Sequence, residues 1–300
     1  MSWQKFRVIY ELHSPLHIGY HKVGNVQRTR YYIPARNLLG AVTEALTRRG
    51  FSPKGVSSGD YQLRPDDRDC RSRQFPTPGA SSGDYRQVGE WVKTHCAFDY
   101  WFVYENSQSL TPCYHEGGLK YGNLSVAEFE RRYLDSHVTT ALDPKTNSAQ
   151  YGSLHEVEFI APYSRQNGAR TQVSGLVFLD DIAKKELNWE CWLGNLQVGG
   201  ERRYGFGTLR LVRITPEDGS ITCTRPRQPV SKNTPFLAHV SVTTNVQIRG
   251  QIEPLVGRVT SQSHAFGSSL TSAIVCWTPG SIPMDDVQVQ FEPEGYWKIV

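Results

Sequence analysis

The chain has 300 residues, of which 38% are hydrophobic and 21% charged, with a formal net charge of +4; these values suit a globular protein of one large domain with insertions or two smaller ones. No apolar run approaches the ~20 residues that a membrane-spanning helix requires, which excludes that class. The opening MSWQKFRVIY reads as a strand and not as a signal-peptide core, so a cytoplasmic location is expected.

Taken in order, Phe6, Val8, Tyr10 and Leu12 alternate with Arg7, Ile9 and Glu11, predicting a first strand that ends at Ser14-Pro15. A loop bearing Gly and Arg follows, and residues 37–48 predict a helix with Leu38, Leu39, Val42, Ala45 and Leu46 on one face. Residues 50–89 are rich in Gly, Ser, Pro, Asp and Arg, and contain two copies of SSGDY starting at Ser57 and Ser81. That composition predicts a loosely ordered insertion. FDYWFVY, ending at Tyr104, reads as a strand and residues 126–134 as a short helix; further strands are expected at 155–160 and 172–179. Leu187, Cys191 and Leu196 then recur at helical spacing, a glycine-rich loop intervenes, and Leu209 and Leu211 alternate with Arg210 as a last strand.

Strand, helix, insertion, two strands, helix, strand is the order of an α+β, ferredoxin-like (RRM-like) βαββαβ core. Residues 1–215 would form that domain, with the insertion at about 50–150. The runs LAHVSVTTNVQI, SAIVCWTP and VQVQFEP predict a β-rich extension over residues 216–300.

Charge is unevenly placed. Residues 22–49 hold six basic residues against one acidic, and residues 199–213 hold four against one, so the rest of the chain is net acidic. The second stretch includes GGERRYGFG, in which Gly199, Gly200, Gly205 and Gly207 flank Arg202, Arg203, Tyr204 and Phe206. Glycines let a backbone approach a ligand, successive N–H groups can form an anion nest, and arginines add positive charge, so a phosphodiester backbone is the natural ligand. An ordinary tight turn would use the same glycines. The order helix, glycines, strand is the reverse of a P-loop or dinucleotide fingerprint, and no Gly-Lys-Ser/Thr is present, so neither nucleotide reading holds.

GGERRYGFG followed by TLRLVRI resembles the glycine-rich loop before the last strand of the RAMP superfamily, the RNA-binding subunits of CRISPR effector complexes. FRVIYELHSPLHIGYHKVGNVQRTRYYIPARNLLGAVTEAL is similar to the first strand, guide-contacting loop and first helix of its type III members. HVTTALDPKTNSAQYGSLHEVEFIAP is similar to their projecting hairpin, or thumb, and the strand after it. The resemblance implies a structural subunit of a type III CRISPR ribonucleoprotein in antiviral defence. Its partners would be the guide RNA, other RAMP subunits and the large subunit, with target RNA nearby and no cofactor. Lys22, Arg28, Arg30, Arg36, Arg202 and Arg203 would neutralise phosphates, and Tyr20, Tyr31, Tyr204 or Phe206 would stack on unpaired bases. Asp143 and Lys145 would sit at the thumb-like turn.

Some relatives cleave repeat RNA without a metal through a histidine, for which His13, His17 and His21 are the candidates; this alternative is a repeat-processing endoribonuclease. Other relatives cut target RNA with an aspartate in the loop after the first strand. Here residues 19–32 contain no Asp or Glu, which argues against a slicing subunit. A third alternative is a protein-interaction subunit that binds no RNA. The six cysteines show no CxxC, so reduced thiols are expected, with His95, Cys96, Cys113 and His115 as a zinc candidate weakened by the adjacency of the first two.

Overall fold

The computed structural model describes residues 2–53, 84–242, 246–259 and 269–300. Strand β1 (Ser2–Leu12) runs into a hairpin of β2 (Gly19–Val23) and β3 (Val26–Thr29), and β4 (Tyr32–Ile33) precedes helix α1 (Ala35–Arg48). Helix α2 (Tyr85–His95) leads into β5 (Cys96–Phe98) and β6 (Trp101–Glu105), followed by short strands β7 (Gln108–Ser109), β8 (Pro112–His115), β9 (Gly118–Tyr121) and β10 (Leu124–Ser125). Next come α3 (Val126–Tyr133), β11 (Leu134–Thr139), β12 (His155–Ile160), β13 (Gln172–Asp180), α4 (Asp181–Glu186) and α5 (Trp189–Leu193). Strands β14 (Asn195–Gln197) and β15 (Thr208–Thr222) close this part of the chain.

The main sheet follows the order β14-β15-β1-β13-β6-β4, with β5 also on β13 and β7 on β6. β1 is central because Trp3, Val8, Tyr10 and Leu12 are all fully buried and both of its edges are taken, by β13 and by β15, each antiparallel. Helices α1, α2 and α5 pack on one another over the Tyr10 side. Phe51, just after α1, lies 4.8 Å from Trp91 and 5.4 Å from Trp192, and the Trp189 indole donates to the Tyr10 hydroxyl at 2.9 Å. Gly175 keeps β13 open for Trp101: a Cβ there would collide with the indole, which stacks on Tyr10 at 5.1 Å.

Helix α1 forms as its periodicity predicts, burying Leu38, Val42 and Leu46 at four-residue spacing, and starts after an extended Pro34. The first SSGDY copy and most of the 50–89 insertion lie outside the described residues. The second copy supplies Asp84, which caps α2 by accepting from the Arg86 amide at 2.8 Å.

Three expectations need correction. The strand at 155–160 is not in the main sheet: β12 belongs to a separate sheet of order β11-β12-β3-β2, in which it pairs with β3 in parallel. Its place beside β13 is taken by β5 and β6, so the insertion expected over 50–150 is interrupted by residues 96–105. The physical reason is burial, since β5 and the first half of β6 are buried at every residue, whereas β12 has only half of its residues buried. The helix expected to reach Leu196 stops at Leu193, because residues 195–197 pair with β15 instead. Cys96, Cys113, Cys223 and Cys276 are free thiols, but Cys191 is disulfide-bonded, against the expectation of reduced thiols throughout.

β15 continues to Thr222, past the expected boundary at 215, and the tail beyond it builds a six-stranded sheet. In spatial order its strands are Arg227–Val230, Val287–Phe291, Trp297–Ile299, Val240–Ser241, Ile274–Trp277 and Ile252–Leu255. This sheet shares the core of the main one, with Phe178 packed 4.7 Å from Phe291. Among the described residues no helix is long and apolar enough to cross a membrane.

Asp99, at the break between β5 and β6, is buried with a carboxylate oxygen accepting from the Tyr100 amide at 2.7 Å. Burial pushes its pKa up to about 7, against the smaller lowering by that amide and by Arg7. The folded chain therefore holds a proton that the unfolded chain releases near pH 4, so this group's contribution falls as pH rises from about 4 to 7. Asp99→Asn should leave stability at pH 4 nearly unchanged and raise it at pH 8, with a difference growing by at most about 1.4 kcal/mol per pH unit between. Urea denaturation of both proteins across that range checks it.

Candidate nucleic-acid interface

The glycine-rich loop and the segment after β1 are 180 residues apart in sequence and lie directly against each other. The Gly200 amide donates to the His17 carbonyl at 2.8 Å and the Gly207 amide to the Pro15 carbonyl at 2.7 Å. The Thr208 amide adds a bond to the Ser14 hydroxyl at 2.9 Å, and Val198 N–H closes the loop on the Gly207 carbonyl at 2.9 Å. Two glycines make this approach possible. Gly199 has φ +90° and a Cβ there would collide with the His17 carbonyl; Gly207 has φ +80° and a Cβ would collide with the Val198 carbonyl. Between them Arg202–Tyr204 form one 3₁₀ turn, held from below by the Gln197 amide, which donates to the Arg202 and Phe206 carbonyls at 3.1 Å each.

The loop's side chains separate into two groups. Arg203 and Tyr204 face solvent, Tyr204 at 77% exposure. Arg202 pairs with Glu44 of α1, and Phe206 packs edge-on against Phe159 of β12 at 5.5 Å. The loop after β1 is a hairpin whose outer strand β2 is exposed at every residue, so Tyr20, His21 and Lys22 project from the surface. On the inner side Arg28 reaches Glu158 at 2.7 Å and Glu130 at 3.8 Å, and the Tyr31 hydroxyl donates to Glu130. Arg30 pairs with Glu253 of the C-terminal sheet at 2.7 Å. Arg36 is half-buried, beside Gly257 and Gly295, and burial lowers its pKa.

Of six cations expected to meet phosphate, three are therefore held by carboxylates of the chain itself, Arg28 by Glu158, Arg30 by Glu253 and Arg202 by Glu44. Arg36 is half-buried against Thr271, and Lys22 and Arg203 are exposed with no ion-pair partner among the described residues. Glu158, Glu44 and Glu253 were not singled out from the sequence, because isolated acidic residues in strands and helices carry no local signal of what they face. Glu158 is the centre of the hairpin base. Its carboxylate also accepts from the Thr29 amide at 3.2 Å, its carbonyl meets His17 Nδ1 at 2.7 Å, and burial raises its pKa despite Arg28.

His17 is only 4% exposed and structural, whereas His13 and His21 are at the surface, His13 with Glu11 at 4.0 Å. β11 and β12 form a hairpin whose tip, residues 142–149, is exposed. Asp143 is spent on the turn there, accepting from the Lys145 amide at 2.8 Å, while the Lys145 side chain is free of partners among the described residues. His95 bonds to Asp180 at 2.7 Å and Cys96 lies in the core, its thiol pushed up by burial. Among the described residues no three His, Cys, Asp or Glu side chains are grouped to hold a metal, so His95, Cys96, Cys113 and His115 do not make the four-ligand site.

A family model described as the RAMP superfamily matches residues 9–210, which contain the end of β1, the hairpin, the glycine-rich loop and the seam where that loop meets the backbone of Pro15 and His17. The chain belongs to the RAMP superfamily. Two solved structures share its fold. One is a chain of type III-B Cmr-beta bound to cognate target RNA and AMPPnP, with TM-score 0.54, 11% identity, and coverage of 92% of this chain and 85% of that one. The other is a chain of type III-B Cmr-beta bound to cognate target RNA, with TM-score 0.53, 10% identity, and coverage of 92% and 86%. No curated protein matches this RAMP chain in sequence.

The seam makes a prediction about its glycines. Gly199→Ala and Gly207→Ala should each destabilise by on the order of 1–3 kcal/mol or more, since backbone atoms must move. Gly205→Ala, with φ +83° but open space around the added Cβ, should cost only about 1–2 kcal/mol. Thermal denaturation of the three variants ranks them; an equal loss at all three would show that the close approach to His17 and Val198 carries no weight.

Proposed function

We propose that this chain is a structural, guide-RNA-binding subunit of a type III CRISPR ribonucleoprotein acting in antiviral defence. The observation that carries the reading is the convergence of three sequence-distant stretches on one side: the hairpin after β1, the glycine-rich loop, and the β11–β12 hairpin that shares its sheet. Single-stranded RNA suits this surface because exposed Tyr20 and Tyr204 flank unpaired cations, and stacking needs bases that a duplex would hide. We read the order β15, β1, β13 and β5/β6 with helices over one side as a ferredoxin-like core in residues 1–215, with residues 216–300 as a β-rich subdomain. The two fold relatives belong to Cmr-beta assemblies bound to target RNA, which supports other RAMP subunits, the large subunit and target RNA as neighbours. The exposed turn of Asp143 and Lys145 is the part of the chain best placed to meet target RNA. A cytoplasmic site of action accords with that role, and the reading needs no cofactor.

In this reading Lys22 and Arg203 contact phosphate, whereas Arg28 and Arg202 shape the surface through their carboxylate partners. Binding of single-stranded RNA should weaken steeply with salt, by about 0.7 in the log–log slope for each phosphate contact. Lys22→Ala with Arg203→Ala should lower that slope by about 1.4 without changing the melting temperature. Arg202→Ala should leave the salt slope unchanged and lower stability by at most about 1 kcal/mol, since Glu44 keeps Arg48 at 2.8 Å. Fluorescence anisotropy at several salt concentrations tests this, and an affinity unaffected by salt or by the double substitution overturns the RNA reading. With Mg²⁺ or Mn²⁺ the purified subunit should leave target RNA intact, since the hairpin carries no carboxylate of its own and Glu130 and Glu158 beside it are engaged by Tyr31 and Arg28. Cleavage abolished by a substitution in this chain would contradict it.

A further inference from the structure

Arg30 is the least exposed of the hairpin's cations, at 14%, and its bonds run inward. One guanidinium nitrogen donates to the Tyr32 hydroxyl at 2.9 Å and to Glu253 Oε1 at 2.7 Å. The same carboxylate oxygen accepts from His239 Nε2, and His239 is fully buried. Nδ1 of His239 meets the Tyr100 hydroxyl at 2.7 Å, and that hydroxyl also reaches the Gly295 carbonyl at 3.1 Å. Burial would raise the Glu253 carboxyl, but His239 and Arg30 outweigh it and hold the pKa at about 2, so the carboxylate stays charged.

At the outer end of this chain, the guanidinium carbon of Arg30 lies 4.6 Å from the centroid of the Tyr20 ring. Tyr20 is 49% exposed, so the cation covers one side of the ring while much of the rest faces solvent. Edge-on, His21 flanks it at 4.1 Å. Glu253 also acts on the Tyr20 phenol, which, like burial, raises its pKa. A buried carboxylate between a buried cation and a buried histidine is costly to desolvate, and apolar residues of similar volume would often be as stable or more so. What the charged version supplies is direction: Arg30 is pinned from below and can hold a ring above.

We propose that Glu253 and His239 are positioning residues of the RNA surface, fixing Arg30 so that the exposed part of the Tyr20 ring is presented to an unpaired base of single-stranded RNA. This rests on the RNA-binding reading above. It reassigns Arg30 from phosphate ligand to support, and it gives the C-terminal sheet, which lies beyond the residues matched by the family model, a part in binding.

Glu253→Gln alone leaves a buried cation unpaired and risks unfolding, so the decisive variant is the paired swap Arg30→Met with Glu253→Met, which removes both charges together. The full-length chain would be titrated against fluorescein-labelled oligouridine by anisotropy, with melting temperature recorded for each variant. Tyr20→Ala should weaken binding on the order of 5- to 100-fold, as expected for loss of one stacked base. The swap should melt near the wild-type temperature, weaken binding by a comparable factor, and leave the salt slope unchanged because Arg30 meets no phosphate. Adding Tyr20→Ala to the swap should cost little more, since both act through one contact. A folded swap with wild-type affinity, a slope lowered by about 0.7, or losses that multiply in full would each overturn the inference. If Lys22→Ala with Arg203→Ala weakens binding while Tyr20→Ala is silent, the inference falls and the RNA reading stands. If wild-type protein ignores oligouridine, both fall.

Discussion

The approach of the glycine-rich loop to the backbone at His17 is the contact on which the rest of the surface depends. Amides at 200 and 207 donate to carbonyls at 17 and 15, so both segments satisfy their polar backbone groups on each other without a strand between them. Only residues without a Cβ tolerate that proximity at 199 and 207. Once the seam is closed, the hairpin after β1 has a fixed base, because Ile18 N–H bonds to the Thr29 hydroxyl at 2.9 Å immediately beyond it. The glycines thus act as much on the fold as on any ligand, and the choice between anion nest and tight turn is a false one at Gly199 and Gly207. Gly205, with space around it, is where a ligand has room to come close.

Charge clustering in the sequence does not say which cations the fold leaves without a partner. Arg28, Arg30 and Arg202 sit in the two basic stretches, yet each meets a carboxylate from an element distant in sequence: β12, the C-terminal sheet, and α1. The more exposed pairs, those of Arg28 and Arg202, are worth little in stability, about 0–1 kcal/mol, and their use here is geometric. Paired arginines fix the hairpin and the loop in place, which spares the ligand the ordering cost of mobile segments. Two cations left over, Lys22 and Arg203, stand on parts fixed in that way. A net charge of +4 on 300 residues is compatible with nucleic-acid binding for this reason: what counts is the few charges without internal partners.

Local elements were legible from periodicity where one face of a segment is buried. The burial of Leu38, Val42 and Leu46 in α1, and of Val8, Tyr10 and Leu12 in β1, are signals that a single window contains. Partnering was not legible in the same way. β12 and β6 both read as strands, but nothing local says that Trp101 stacks on Tyr10 at the sheet's centre while Val157 faces a smaller sheet. Family resemblance located the glycine-rich loop and the hairpin, and Glu253 and His239 escaped it because they lie outside the matched residues and act only through contacts spanning 223 and 139 positions.

That separation bears on what the part of the chain beyond residue 210 adds to the surface. Residues 9–210 supply the sheet and both loops of the surface, and this portion alone would leave Arg30 with Tyr32 below it and no carboxylate. A guanidinium in that position would be free to turn outward toward phosphate, as its place in a basic stretch suggests. The C-terminal sheet changes its role by bringing one carboxylate and one buried imidazole against it. An extension with a net acidic balance therefore need not compete with RNA for the surface. Under the proposed RNA-binding role, pairing one cation from beneath exchanges a phosphate contact, which is sensitive to salt, for an aromatic face that is much less so.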